Sequence, residues 1–201
     1  MIYNINMVEN INKPTEIEVQ KYLDLWDSLE NYTLQESSLN KLFLKTYPDN
    51  TDMNDVLIKV CTLNDFYSTN IFSPFTIAKH IVALKIDEHL RNNELTIVNK
   101  IANVTMKGGK IMNFYSFATK YCSHHQPLNY PIYDSYVEKV LIHFKKVDNF
   151  AVFTKIDLKS YERFKEILIT FRRFYNLDKF DLKQIDKYLW QLGKKSFPKK
   201  Y

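Results

Sequence analysis

The sequence predicts an all-α fold, a multi-helix orthogonal bundle, on three observations. Apolar side chains recur at three- and four-residue intervals along most of the chain, and Ser, Thr, Asp and Pro stand where helix starts need them. Only 3 of the 201 residues are glycine, too few for a turn-rich β-sandwich or a nucleotide fold built on a Gly cradle. With 45% hydrophobic residues the chain is also too apolar to be disordered. A chain of this length buries roughly 70% of the surface its unfolded form exposes, so a proper core is expected.

Thr15, with Glu18 three residues on, reads as a capping box opening a helix whose Val19, Tyr22, Leu23 and Trp26 share one stripe. A second short helix is expected from about Ser38 to Tyr47, stopped by Pro48, with the polar run Asp49 to Asn54 as a linker. That linker sets a soft boundary between residues 1–50, an N-terminal helical extension packed on the main domain, and the main domain at 51–201. From Asp55 a helix through Val56, Leu57, Val60 and Leu63 leads into Asn64-Asp65-Phe66-Tyr67-Ser68-Thr69-Asn70, expected as a polar, aromatic-bearing turn. Ser73 and Pro74 then supply the N-cap and first position of a helix burying Ile77, Ile81 and Leu84.

A short helix with Leu95, Val98, Ile101 and Ala102 is expected to end near Lys107-Gly108-Gly109-Lys110. Phe114, Phe117, Ala118, Tyr121 and Cys122 then mark one helical face. Gln126 to Tyr133 form a loop that delivers Asp134 as N-cap of a helix carrying Val137, Val140, Leu141 and Phe144. Two more helices close the chain, Ser160 to Tyr175 and Asp181 to Leu192, the last capped by Asp181 with Gln184 at N3 and stopped by Gly193. No strand is expected.

The net charge of +5 divides unevenly: residues 1–100 carry −5 and residues 101–201 carry +10. The basic half is the one to test against polyanions, although a solvated Lys-rich surface accounts for the charge equally well. Cys61 and Cys122 are too few for a disulfide framework, and Met1 to Asn12 lack the cationic start and apolar run of a secretory signal. No stretch reaches the ~20 apolar residues that span a bilayer. The expectation is a reduced, cytoplasmic monomer that does not engage membranes.

Helix, Gly-containing hairpin, helix, loop and an Asp opening the next helix is a layout that resembles the helix-hairpin-helix DNA glycosylases, among them endonuclease III and the 8-oxoguanine glycosylases. Tyr115-Ser116-Phe117-Ala118-Thr119-Lys120-Tyr121 through Pro131-Ile132-Tyr133-Asp134-Ser135-Tyr136-Val137 is similar to the segment leading to that family's catalytic Asp, and Leu63 to Asn70 looks like its wedge segment. The resemblance covers roughly Asp55 to Gly193 and implies a central helix-hairpin-helix-like motif, DNA bearing a damaged or extruded base as partner, and base excision. It implies Asp134 as the catalytic carboxylate, and Lys110 first or Lys120 second as the nucleophile of a strand-nicking lyase step, with a water-using monofunctional enzyme as the alternative. This chain departs from the family's Gly-hydrophobic-Gly hairpin by offering Lys107-Gly108-Gly109-Lys110. DNA contacts are expected from Lys107, Gly108, Gly109, Thr69, Asn70 and Ser135. A base pocket is expected from Phe66, Tyr67, Tyr133, His124 and His125, with Tyr115, Tyr121, Tyr130 and Tyr136 as further wall candidates.

The chemistry has its own logic. Cleaving an N-glycosidic bond develops positive charge on the sugar, and a carboxylate held beside it lowers the barrier. Backbone N–H groups and the helix dipole favour an ionised Asp134 and offer a phosphate site, while the same residue serves equally as an ordinary N-cap. A Lys nucleophile must be kept partly neutral by desolvation or a nearby cation. Cys122, His124 and His125 lack the spacing of a four-ligand metal site, and two Cys cannot build an iron–sulfur cluster, so neither metal nor cofactor is expected. The rival readings are a non-catalytic nucleic-acid-binding module and a helical protein-interaction domain whose basic C-terminal half, with its end Phe197 to Tyr201, docks on an acidic partner.

Overall fold

Local chemistry sets most helix starts. In the computed structural model, which describes residues 11–198, α1 (Glu16–Ser28) begins where the Thr15 hydroxyl accepts from the Glu18 N–H at 3.2 Å. The Glu18 carboxylate turns to Lys21, 3.6 Å away. α2 spans Glu30–Lys41 and runs on through a π-helical turn, Leu42–Thr46. The sequence placed this helix eight residues too late, because Leu39 is the single buried residue of α2 and leaves almost no apolar period to read.

Asp52 caps α3 (Met53–Tyr67), accepting from the N–H groups of Asn54 at 2.8 Å and Asp55 at 3.2 Å. Asn64 to Tyr67, expected in a turn, form its last helical turn, and Ser68 closes it in the left-handed region with φ 47°. Ser73 and Pro74 begin α4 (Pro74–Leu84) as expected, and Lys85, with φ 49°, separates it from α5 (Ile86–Arg91). α6 (Thr96–Ala102) stops five residues before Lys107. Residues 103–113 form a two-stranded antiparallel hairpin, β1 (Asn103–Thr105) paired with β2 (Ile111–Asn113), in the register Val104 opposite Met112. That corrects the expectation of no strand: β-branched Val104, Thr105 and Ile111 flank a Gly pair, whose φ of 91° and 82° only glycine adopts without strain.

α7 (Tyr115–His125) buries nine of its eleven residues, so it lies inside the bundle with neighbours on all sides. α8 (Ser135–Asp148) starts at Asp134, α9 spans Tyr161–Phe174, and α10 spans Leu182–Ser196 with the expected Asp181–Gln184 capping box. Gly193 was expected to stop this last helix. It instead lies inside it, where a Cβ would come within 2.7 Å of the Tyr136 backbone oxygen, so its place in the chain answers to the close approach of α8 and α10. One apolar core runs from Val19 on α1 to Leu192 on α10. α10 packs on α8 and α1, α3 on α4 and α7, and α6 on α7. Among the described residues no helix is long and apolar enough to cross a membrane. Lys199 to Tyr201, part of the basic end read as a partner-docking segment, lie outside the described residues, as do Met1 to Asn10 of the opening segment.

Candidate active site

Lys120 is 4% exposed, although it carries the charge that water stabilises best. Its position on α7 puts Ser116 one turn back: the Lys120 nitrogen donates to the Ser116 hydroxyl at 2.6 Å and to the Ser116 carbonyl at 3.4 Å. It also sits 5.2 Å from the centroid of the Tyr67 ring. Burial pulls the amine below its usual range; the carboxylates of Asp134 and Asp186 resist that, and Lys183 reinforces it. A buried amine shifted this way holds a larger neutral, nucleophilic fraction than a surface lysine.

Asp134 caps α8, its Oδ1 accepting from the N–H groups of Tyr136 at 2.7 Å and Val137 at 3.1 Å. The segment bearing it is clipped to α7, because the Ser116 hydroxyl donates to the Tyr133 carbonyl at 3.1 Å and the Thr119 hydroxyl accepts from the Tyr133 N–H at 3.2 Å. Asp134 and Lys120 line a common hollow of about 100 Å³. A single water needs only ~10–15 Å³ on the same measure, so the hollow has room for a small planar ring. Its aromatic walls are Trp26 and Tyr32 from the α1–α2 pair, Phe66 and Tyr67 from the end of α3, and Trp190 from α10. A wider groove of about 650 Å³ shares Lys120, Asp134, Tyr67 and Trp190 with it and continues past Ser68, Thr69, Ser135, Lys159 and Lys194.

α10 adds a group that the sequence reading missed. Asp186 is 5% exposed and lines the hollow. Burial raises its carboxyl to about 7; the charges of Lys183 and Lys120 and the Ile132 N–H work against the rise, and Asp134 works with it. A signal for it existed, since Asp186 falls on the apolar stripe formed by Leu182, Ile185, Leu189 and Leu192. Trp26 and Glu36 carried no such signal, and only the fold reveals them. Glu36 accepts from the Trp26 indole at 3.2 Å and pairs with Lys187 at 2.7 Å, fastening the α1–α2 wall to α10.

The raised Asp186 carboxyl has a sign that can be checked. Between pH 4 and 7 the folded state holds a proton that the unfolded chain has released, so this group's contribution to stability falls as pH rises through that window. Thermal melts at stepped pH should show the parent losing on the order of 2–4 kcal/mol relative to Asp186→Asn across it, at ~1.36 kcal/mol per unit. Parallel pH profiles for the two proteins would mean that the buried acid is ionised throughout.

The remaining sequence-chosen residues scatter. Phe66 and Tyr67 line the hollow from a helix, and Thr69 and Ser135 line the groove. Tyr133 is a groove wall whose hydroxyl donates to Glu138 and accepts from Lys159, and Tyr115 and Tyr136 line the groove too. Tyr121 and Tyr130 are core side chains. His124 is 2% exposed on α7, with its Nε2 at 3.0 Å from the Tyr67 hydroxyl, and burial holds its pKa well below the usual value. It therefore buttresses Tyr67 from behind. His125 belongs to a separate polar knot with Asn50 at 3.2 Å, and burial lowers it to about 3. Helix α7 runs through both histidines and buries His124. Lys107, Gly108, Gly109 and Lys110 sit exposed on the hairpin and line neither the hollow nor the groove, and Asn70 is likewise exposed. The largest side chain offered to solvent on the α3–α4 loop is Phe72, 97% exposed.

Comparison with known proteins places this chain in a family. Residues 18–129 match the family described as HI_0787_N, N-terminal domain, and the match runs across the boundary that the sequence set near residue 50. An uncharacterized protein of Haemophilus influenzae (strain Rd) is 51% identical over 152 residues, covering 75% of this chain and 72% of the relative. No solved structure matches the chain.

Proposed function

The chain belongs to the family described as HI_0787_N, and we propose that it is a DNA glycosylase with lyase chemistry, excising an extruded, damaged base. One observation carries this reading: a nearly buried, pKa-lowered Lys120 amine shares an aromatic-walled hollow with Asp134. The aromatic rings offset the cost of unstacking a base, a few kcal/mol, by stacking on it again. The groove past Ser135, Lys159 and Lys194 takes the flanking strand, with phosphate held by the lysines. On this reading α6, the β1–β2 hairpin and α7 serve as the helix-hairpin-helix-like element, and the exposed Lys107 to Lys110 turn meets the backbone of the duplex.

In the reaction the Lys120 nitrogen attacks C1′ of the sugar. The N-glycosidic bond breaks, its electron pair leaves with the base, and the base takes a proton from the Asp186 carboxyl. Asp134 balances the positive charge that develops on the sugar. The C1′–O4′ bond then breaks, O4′ takes one of the two protons on the attacking nitrogen, and the nitrogen is left in an iminium, the intermediate that borohydride reduces to a permanent cross-link.

The test is a panel of duplexes, each bearing one damaged base, read for abasic sites with parent and Asp134→Asn. Asn is as good an N-cap as Asp, so helix α8 survives while the charge is lost. Base release is expected to fall ~100-fold or more. Equal release by the two proteins would reduce Asp134 to a helix cap. A non-catalytic DNA-binding module is the rival that the exposed Gly108–Gly109 turn favours; salt-dependent binding that survives Asp134→Asn, with no base released from any duplex, would establish it instead.

A further inference from the structure

We propose that Ser116 is the positioning residue for the Lys120 amine, fixing both where the nitrogen sits and which way its reactive electron pair points. This rests on the base-excision reading of the site. A serine hydroxyl has a single proton, and that of Ser116 is engaged by the Tyr133 carbonyl at 3.1 Å. Toward Lys120 the hydroxyl oxygen therefore acts as an acceptor, at 2.6 Å, and the Ser116 carbonyl takes a second Lys120 proton at 3.4 Å. Of the three outer positions on the tetrahedral nitrogen, two are bound back to α7. The third is not taken by Ser116. In the ammonium form it carries a proton; in the neutral amine it carries the electron pair that attacks.

The same hydroxyl couples the two halves of the site. Tyr133 directly precedes Asp134, so one Ser116 oxygen ties the nucleophile to the segment that presents the carboxylate. Thr119 doubles the clip by accepting from the Tyr133 N–H at 3.2 Å and donating to the Ser116 carbonyl at 3.0 Å. Because Thr119 holds the segment on its own, removing the Ser116 hydroxyl loosens the amine without detaching the loop.

Two measurements on the full chain test this. The first needs no DNA: Lys120 is methylated with formaldehyde and cyanoborohydride over a range of pH, and its modification is followed by peptide mass spectrometry. Loss of an acceptor that favours the charged form should move the Lys120 midpoint in Ser116→Ala to lower pH by about half a unit or more, while Ser116→Thr, which keeps the hydroxyl, tracks the parent. The second is single-turnover borohydride trapping on a duplex carrying an abasic site, expected to slow ~10-fold in Ser116→Ala and to recover in Ser116→Thr. An unchanged midpoint in Ser116→Ala, or trapping as fast as the parent's, would overturn the proposal. If the parent traps no abasic duplex, the base-excision reading fails, and the methylation midpoint alone decides whether Ser116 governs the amine.

Discussion

Replacing Lys120 by methionine is expected to abolish borohydride trapping of an abasic duplex and to raise the melting temperature by roughly 2–6 °C. Methionine keeps the unbranched apolar stem, which is what packs inside α7, and removes the nitrogen. Burial disfavours the charged amine, and that penalty is present in full at low pH and is relieved as pH rises toward the unfolded value of 10.5. Deleting one member of a buried ion pair usually destabilises, by ~3–5 kcal/mol, because the partner is left charged. Here the partners have other recourse. Asp186 already sits at about 7 and can take a proton, and Asp134 keeps its two backbone N–H donors. The variant should therefore gain ~1–2 kcal/mol at neutral pH while losing the covalent step, the pattern of a residue retained for chemistry at the expense of stability. A melting temperature several degrees below the parent's would make Lys120 a structural cation and remove the main support for a nucleophile.

Gly193→Ala should lower stability by about 2 kcal/mol, a fall of roughly 4–8 °C in melting temperature. The added methyl would meet the Tyr136 Cβ and carbonyl oxygen at 2.7 Å and the carbonyl carbon at 2.9 Å. Backbone atoms of α8 cannot swing aside as a side chain can, so α8 and α10 must separate. Alanine's better helix propensity returns ~1 kcal/mol of the overpacking cost, which is why the net loss is moderate. The functional consequence is larger than the thermal one. Asp134 stands at the start of α8 near Tyr136, and Asp186 and Trp190 lie on α10 within two turns of Gly193, so the separation widens the hollow where the base is held. A displacement of ~1 Å at reacting groups costs ~10²-fold in rate. Differential scanning calorimetry and single-turnover trapping on the same preparation check both; a variant that melts and reacts like the parent would show that the helices tolerate the extra methyl.

How far the sequence carried can be seen in individual residues. Asp134 was found because an N-cap announces itself locally, by an Asp ahead of an amphipathic run that starts after a Pro-bearing loop, and its two backbone hydrogen bonds are those of a cap. Lys120 was found only as the second choice after Lys110. Nothing in the local sequence distinguishes a lysine on a fully enclosed helix from one on a solvated hairpin, and their fates are opposite. His124 and His125 were assigned to a base pocket, but Pro127 marks only where α7 must end and not which way its last side chains turn, and they face Tyr67 and Asn50 instead. The β1–β2 hairpin escaped because three-residue strands hold barely more than one repeat of the two-residue alternation.

The sequence by itself determined the helical class, the caps at Thr15, Asp134 and Asp181, the helix start at Ser73–Pro74, and the apolar faces that become the core, because each depends on residues within a turn or two of one another. Tertiary structure alone decided which charged side chains lose their water. Desolvation of Lys120 and Asp186, and the aromatic wall that the α1–α2 pair builds against α10, arise from segments up to about 160 residues apart; the energy of a buried charge depends on everything packed around it, which no local window of residues contains.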